Sequence, residues 1–475
     1  MGKRSGWDRR LSVSADGKGL IAHAGAVLLH QVADRSGLSA ALAGLWPPGR
    51  SSLWRDRVDV VIALAVAIVC GARSLLEVER LAAHHGALFG TAVSDSTTHR
   101  FLAGLDEGAL EQIAQVRARV RRRVWGLLHL RPGGFPWLSV AGKTLRGWIV
   151  LDLDATIITS ASDKTGASAT FKRSYGFHPL GCWCANTQEV LAMLLRTGSA
   201  GSNTVADHLR VLAAALAQIP GVSRAKLLVR VDGAGATHAL LDHLDALATT
   251  RRTVRYLVGW MITEVDERAI ALLPEDAWEV SLRQDGEIQS GYEVAELTGL
   301  NRRSGWPAGM RLIVRRVRPS RRHQANLTAF EQKTGWRYSI TATNIRRLGG
   351  IPGSHHPQWL DALAREHAVV EDRVRCAKAM GLRNLPSKNW TINRGWMLAA
   401  NLGHDLDCWV RLLALHDHDE LARAEPDTMR YRLYHQPARL ATHARRRILR
   451  LERTWPWADA FVTAWQRLIN LPSLT

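Results

Sequence analysis

Two carboxylates interrupt the apolar stretch Val150-Leu151-Asp152-Leu153-Asp154-Ala155-Thr156. A charge in the middle of an apolar strand is expensive to bury unless it is paired or holds a cation. Side chains alternate along a strand, so Asp152 and Asp154 share one face. An edge strand with one wet face would also tolerate them, but a metal site accounts better for the penalty. A further acid, Asp232, closes the apolar run from Lys226 to Val231 and is followed by Gly233 and Gly235, which let the backbone turn closely. Ligands of open α/β sheets collect at such carboxyl ends of strands, although an ordinary turn aspartate reads the same way. A third candidate, Glu371, lies seven residues before Lys378. That spacing is about two helical turns, so the two share a face; a plain surface helix also carries such pairs. Taken together, the acids fit a divalent cation. Hard Mg²⁺ prefers a few carboxylates plus water and phosphate oxygens. Two such ions about 3.5–4 Å apart activate an attacking oxygen and stabilise the leaving one, and the Lys378 ammonium would contact a phosphate beside them.

These residues need a sheet and helices to bring them together. Residues 145–158, 169–180 and 189–197 read as strands. A helix over 202–218, a strand over 226–232, a helix over 236–248 and a strand over 254–260 follow. Strands interleaved with helices indicate a mixed α/β sheet. Residues 275–344 are again strand-like and basic, with eight arginines between Arg302 and Arg322. Ser354-His355-His356-Pro357 marks a boundary. One helix over 358–382 then carries Glu371, and another spans 390–415. The rest reads as helical and basic, with Arg445, Arg446, Arg447, Arg450 and Arg453. Ahead of the sheet, 55–70 and 74–84 read as helices. Ser94-Asp95-Ser96-Thr97 offers N-caps for a short helix over 99–105, an order compatible with a helix-turn-helix or with a plain bundle. The long helix over 107–130 carries Arg117, Arg119, Arg121, Arg122 and Arg123, a density that points towards phosphate.

Bulk properties agree with a polyanionic partner. The chain has 475 residues, with 63 Lys and Arg against 43 Asp and Glu, a net charge of +20. High-GC coding bias supplies part of the arginine excess but not the shortage of acids, and nucleic acid is the usual partner of such a balance. Five scattered cysteines make no disulfide framework. Cys182 and Cys184 have no second pair to complete a zinc site. A reducing cytoplasmic setting fits. Met1–Arg10 lacks the apolar core of a signal peptide. The longest apolar run, 60–72, is too short to span a bilayer and reads as a buried helix, so no membrane role is expected. Gly142-Lys143-Thr144 is not a phosphate-binding P-loop, because Trp137 stands where that motif needs glycine.

The motifs, in order, resemble the DDE transposases of bacterial insertion sequences, in the group with a β-rich insertion before the last acid. Ser94-Asp-Ser-Thr with Arg100-Phe101-Leu102 resembles a motif of the family's N-terminal helical region. Leu151-Asp-Leu-Asp-Ala-Thr resembles its first-Asp strand, and Tyr175-Gly-Phe-His-Pro-Leu180 the strand after it. Val229-Arg-Val-Asp232-Gly resembles the second-Asp strand, and Arg255-Tyr-Leu-Val-Gly259 the one that follows. Pro437-Ala-Arg439, His443-Ala-Arg445 and Trp455-Pro-Trp-Ala458 resemble the C-terminal region. The resemblance covers nearly the whole chain. It implies an RNase H-like mixed-sheet core and action on the element's terminal inverted repeats. It carries the metal-binding catalytic acids to Asp154, Asp232 and Glu371 and the phosphate-contacting lysine to Lys378, and leaves Asp152 in a supporting position. Related families carry Tyr and Arg seven and four residues before the Glu, where this chain has Ala364 and His367.

The expected organisation is a helical DNA-binding region over 1–135, the first part of the core over 136–260 and a β-rich basic insertion over 261–350. The core is completed over 351–415, and a basic helical region occupies 416–475. The expected activity is metal-dependent cleavage at the inverted repeats and strand transfer into target DNA, with Mg²⁺ (or Mn²⁺) as cofactor. At least a dimer would assemble on DNA, in the bacterial cytoplasm at the nucleoid. The alternatives are another RNase H-fold nuclease, or a domesticated or inactive transposase that only binds DNA.

Overall fold

In the computed structural model, residues 12–46, 56–301 and 305–472 are described. Met1–Arg10, Arg55, Arg302 and Arg303, which the sequence reading drew on, lie outside them. A short strand β1 (Leu20–Ile21) and helix α1 (Ala26–Ser36) come first. The apolar run forms α2 (Arg57–Val69), buried at nearly every position and capped by Asp56, which accepts from the Val58 N–H at 2.9 Å. Helix α3 (Leu75–His84) and helix α4 (Asp95–Ala103) pack on α2. Ser94 caps α4 by accepting from the Thr97 N–H at 3.2 Å. Residues 85–94, with a helical turn at Gly86–Phe89, join α3 to α4. That link is longer than the 3–4-residue turn of a helix-turn-helix, so a bundle describes the region better. Helix α5 (Glu107–Leu130) spans the expected residues.

The sheet begins with β2 (Ile149–Ala155), β3 (Leu180–Cys184) and β4 (Val190–Leu194), consecutive antiparallel neighbours. Helix α6 (Val205–Gln218) leads to β5 (Lys226–Val231), parallel to β2, and α7 (His238–Ala246) to β6 (Thr253–Trp260), parallel to β5. The insertion supplies β7 (Glu279–Leu282), β8 (Ile288–Glu296), β9 (Arg311–Val317) and β10 (Arg337–Thr343). They form no separate sheet. Strand β10 pairs antiparallel with β6, from Leu257 opposite Thr343 to Trp260 opposite Ile340, giving one nine-stranded mixed sheet, β7-β8-β9-β10-β6-β5-β2-β3-β4. The insertion thereby covers the exposed edge that β6 would otherwise present. Its arginines are largely engaged within the chain. Arg311 forks onto Glu296, Arg316 pairs with Glu275 and Glu293 and stacks on Trp278 and Trp336, and Arg318 stacks on Trp336.

Side-chain alternation divides the sheet between two cores. Ile149, Leu151 and Leu153 of β2, with Leu227, Val229 and Val231 of β5, face the large helical core. Val150 and Leu228 face the other side, where Trp359, Leu360 and Leu363 of α8 (Pro357–Arg365) cover them. The single helix expected over 358–382 is interrupted. A 3₁₀ turn at Glu366–Ala368 separates α8 from α9 (Val369–Ala377). The chain then leaves helical geometry at Met380 and at Gly381, whose φ of 95° favours glycine. Helix α10 (Trp390–Ala414) runs through the main core.

The last region corrects the all-helical expectation for 416–475. Strands β11 (Ala438–His443) and β12 (Arg446–Leu451) form a hairpin before α11 (Ala458–Ile469), and β1 pairs with β11 through Leu20 opposite Arg439. The apolar residues Leu440, Leu449 and Leu451 follow a period of two that the intervening arginines mask. The turn uses left-handed Ala444 and Arg445 in place of the usual Asn-Gly signal. Arg117 and Arg121 of α5 are a second correction. Both are buried and paired with acids, whereas Arg119 and Arg122 are exposed. All five cysteines are free and buried. Among the described residues no helix is long and apolar enough to cross a membrane.

Candidate active site

The even-numbered residues of β2 face α8 and the start of α9, and this gives its two acids different surroundings. Asp152 is 2% exposed. Arg230, opposite it on β5, forks onto it at 2.6 and 2.8 Å, and His367 Nδ1 lies 2.9 Å from the same carboxylate. Arg230 also donates to the Leu363 carbonyl at 3.3 Å. Burial alone would push Asp152 upward; the Arg230 guanidinium and the His367 ring outweigh it and hold the carboxyl below its ordinary value. Asp152 therefore joins two strands to the 3₁₀ turn that leads into α9. Both its oxygens are already committed.

Asp154 is two residues nearer the strand end and only half-buried, with one oxygen accepting from the Ala155 N–H at 2.8 Å. Asp232 follows Val231, which is opposite Leu153, so it is level with Asp154 on the adjacent parallel strand. Close approach at Asp232 depends on Gly259 of β6: a Cβ there would sit 2.7 Å from the Gly233 nitrogen and 3.1 Å from the Asp232 carbonyl carbon. Val370 and Val374 anchor α9 on Trp183 and Val190 of the sheet, which brings Glu371 to the same end. Burial first, then the Asp232 carboxylate, push Asp154 up to about 6; Glu371 adds to this, while His367 and the Ala155 N–H oppose it. Lys378, two turns beyond Glu371, is half-buried. Burial lowers its pKa, as does Lys172, while Asp154 raises it. The structure thus places Asp232, Glu371 and Lys378 each within electrostatic reach of Asp154 and ties Asp152 to Arg230 and His367.

Among the described residues no three His, Cys, Asp or Glu side chains form a ready-made metal cage. The donor set is nonetheless a hard one. Burial first, and then the neighbouring Asp232 and Glu371 carboxylates, raise Asp154 to about 6, and a divalent cation relieves the repulsion among the acids.

Sequence reasoning did not find His367, Arg230 or Gly259. His367 had one usable signal: it stands one helical turn before Glu371, where related families place arginine. Its Nε2 is buried without a hydrogen-bond partner among the described residues.

The raised pKa of Asp154 has a stability consequence. The folded state holds that proton more tightly than the unfolded chain, so the contribution is full below about pH 4 and is lost as pH rises through about 6. Asp154→Asn is expected to make the metal-free protein more stable at pH 8 by about 1–2 kcal/mol, and by about half as much at pH 5. Urea denaturation at the two pH values checks this; a variant less stable than wild type at pH 8 would contradict it.

A family model described as "Transposase DDE domain group 1" matches residues 3–473. The chain is also similar to a solved cryo-EM structure of a piggyBac transposase synaptic complex with hairpin DNA. The identity is 10%, over 86% of this chain and 77% of that chain, with a TM-score of 0.39. No curated protein matches the chain.

Proposed function

The chain belongs to the DDE transposase domain family, group 1, and from that premise we propose that Asp154, Asp232 and Glu371 are its catalytic acids. Family membership makes it a DNA transposase, a DNA-cleaving polynucleotidyl transferase of a kind that generally uses divalent metal ions. The observation that carries the residue assignment is the placement of Asp154 and Asp232 level with each other at one end of adjacent parallel strands, with Glu371 close enough to act on Asp154. The strand order supports an RNase H-like core: β2, β3 and β4 run antiparallel in succession, and β5 and β6 add on the other side, parallel to β2.

The three acids would hold Mg²⁺, with Mn²⁺ able to replace it. Cations bound there supply the activation and charge neutralisation for in-line displacement at phosphorus. Lys378 contacts a phosphate beside Asp154 and keeps the scissile strand against the acids. Asp152, Arg230 and His367 set the position of Glu371, because the turn that carries His367 opens directly into α9.

The reaction we propose is cut-and-paste transposition: strand cleavage at terminal inverted repeats, then attack of the freed 3′-OH on target DNA, by an enzyme of a bacterial insertion sequence acting at the nucleoid. Residues 136–260 and 351–415 make the core. Residues 1–135 read the inverted repeat and 261–350 hold the transposon end or excised strand. Two ends must be paired, so at least a dimer assembles on DNA.

Chelation separates chemistry from binding. With EDTA, the wild-type protein is expected to retain duplex binding and to lose nicking of a transposon-end substrate, with activity restored by Mg²⁺ or Mn²⁺. Nicking that persists in EDTA would overturn the metal assignment.

A further inference from the structure

The C-terminal hairpin has two unlike faces. On one, Ala438, Leu440, Leu449 and Leu451 pack with Ile21, Ala24 and Leu88. On the other, the register sets Arg439 directly opposite Arg450, and His443 opposite Arg446. Like charges facing each other across strands destabilise a sheet. Between Ala438 and Arg453 there are six arginines and one acid, Glu452. All six arginines are exposed, and none is ion-paired with an acid among the described residues. By contrast, Arg117, Arg121, Arg230, Arg311 and Arg316 are all matched with acids.

Charge on edge strands often guards against aggregation. That explanation reaches Arg446 and Arg450 on β12, an edge strand, but not Arg439. Arg439 lies on β11, the central strand of the three-stranded sheet β1-β11-β12. The hairpin is also fixed in place: the Arg447 guanidinium donates to the carbonyls of Ala87 and Leu88, in the link that leads to α4. The two ends of the chain, joined by β1 and β11, therefore present one surface.

We propose that the outward face of β11–β12 is a duplex-DNA docking surface, with Arg439, Arg446 and Arg450 on the phosphate backbone. A two-stranded ribbon fits the major groove of B-DNA, and unpaired guanidinium groups on one flat face match phosphate oxygens. Contacts of this type position DNA without reading its sequence. The inference rests on the transposase reading and adds to it a DNA contact on the C-terminal hairpin, apart from the N-terminal helices, the core and the insertion.

The test uses full-length protein, a short duplex of mixed sequence, EDTA and a KCl titration. In Arg439→Gln/Arg446→Gln/Arg450→Gln, the slope of log affinity against log salt is expected to fall by about 0.9 for each lost contact, roughly 2.7 in all. Affinity at low salt should drop about tenfold or more. The corresponding triple lysine variant should keep nearly the wild-type slope. Should the glutamine triple variant melt early, each single variant is expected to lower the slope by about 0.9. Wild-type slope and affinity in folded glutamine variants would overturn the hairpin proposal and leave the transposase reading intact. Loss of RNA binding with duplex binding unchanged would also overturn it. A wild-type protein that binds no duplex would overturn both.

Discussion

Asp232→Asn is expected to lower metal-dependent strand nicking by about a thousandfold, because a lost cation ligand removes several kcal/mol of charge stabilisation from the transition state. Its metal-free duplex binding should equal wild type, since Asp232 is exposed and sits on no strand ladder. Asp152→Asn provides the contrast. It lies two residues from a proposed catalytic acid, yet the change should act through folding: it leaves the buried Arg230 guanidinium facing a neutral amide. Breaking such a pair typically removes about 3–5 kcal/mol. Nicking assays, duplex binding and denaturant midpoints on the two variants separate the roles. Near-wild-type nicking by Asp232→Asn would sink its assignment. A stable Asp152→Asn protein that binds DNA but cannot cut it would show that Asp152 serves the cut beyond its share in folding, through the turn that leads to Glu371.

The second large effect is expected at Asp405. Its carboxylate on α10 accepts from Arg117 and from Arg121 of α5, each at 2.8 Å. Arg121 also bonds Glu189, which receives the indole N–H groups of Trp125 and Trp409 at 2.7 and 2.8 Å. Arg117, Arg121, Glu189 and Asp405 are all buried. Asp405→Ala leaves two guanidinium groups sharing one acid inside the core. The expected loss is about 3–5 kcal/mol, seen as an earlier midpoint in urea. A shift below about 1 kcal/mol would show that water or a rearranged Glu189 compensates. The network clamps the long helix α5 to the β3–β4 connection and to α10. Conservative loss of this clamp should weaken cleavage as well as stability.

The elements that periodicity specifies were legible. Helices over 57–69, 107–130 and 390–414 and strands over 226–231 and 253–260 fall where apolar spacing puts them. Arginine-rich segments were read less well, because a guanidinium on a long stem is compatible with solvent, a buried carboxylate or a phosphate. Arg117 and Arg121 were expected to face phosphate and are instead core ion pairs. Arg439 and Arg450 were assigned to a helical region and instead face each other across a hairpin. The break at Glu366–Ala368 was invisible too, since the residues around it are ordinary helix formers and the turn is held by a partner, Asp152, 215 positions away.

By itself, the sequence determined that this chain is a cationic mixed α/β protein with acids at strand ends, because net charge and apolar periodicity are local sums that need no partner. Only the tertiary structure decided which acid is paired with a guanidinium and which lies among other acids. Asp152 and Asp154 share a strand and a face, but Arg230 and His367 reach one of them while the crowding of Asp232 and Glu371 falls on the other. Whether a carboxylate is neutralised by a guanidinium or left to attract a cation depends on residues far away in the chain, so the distinction has no local signature.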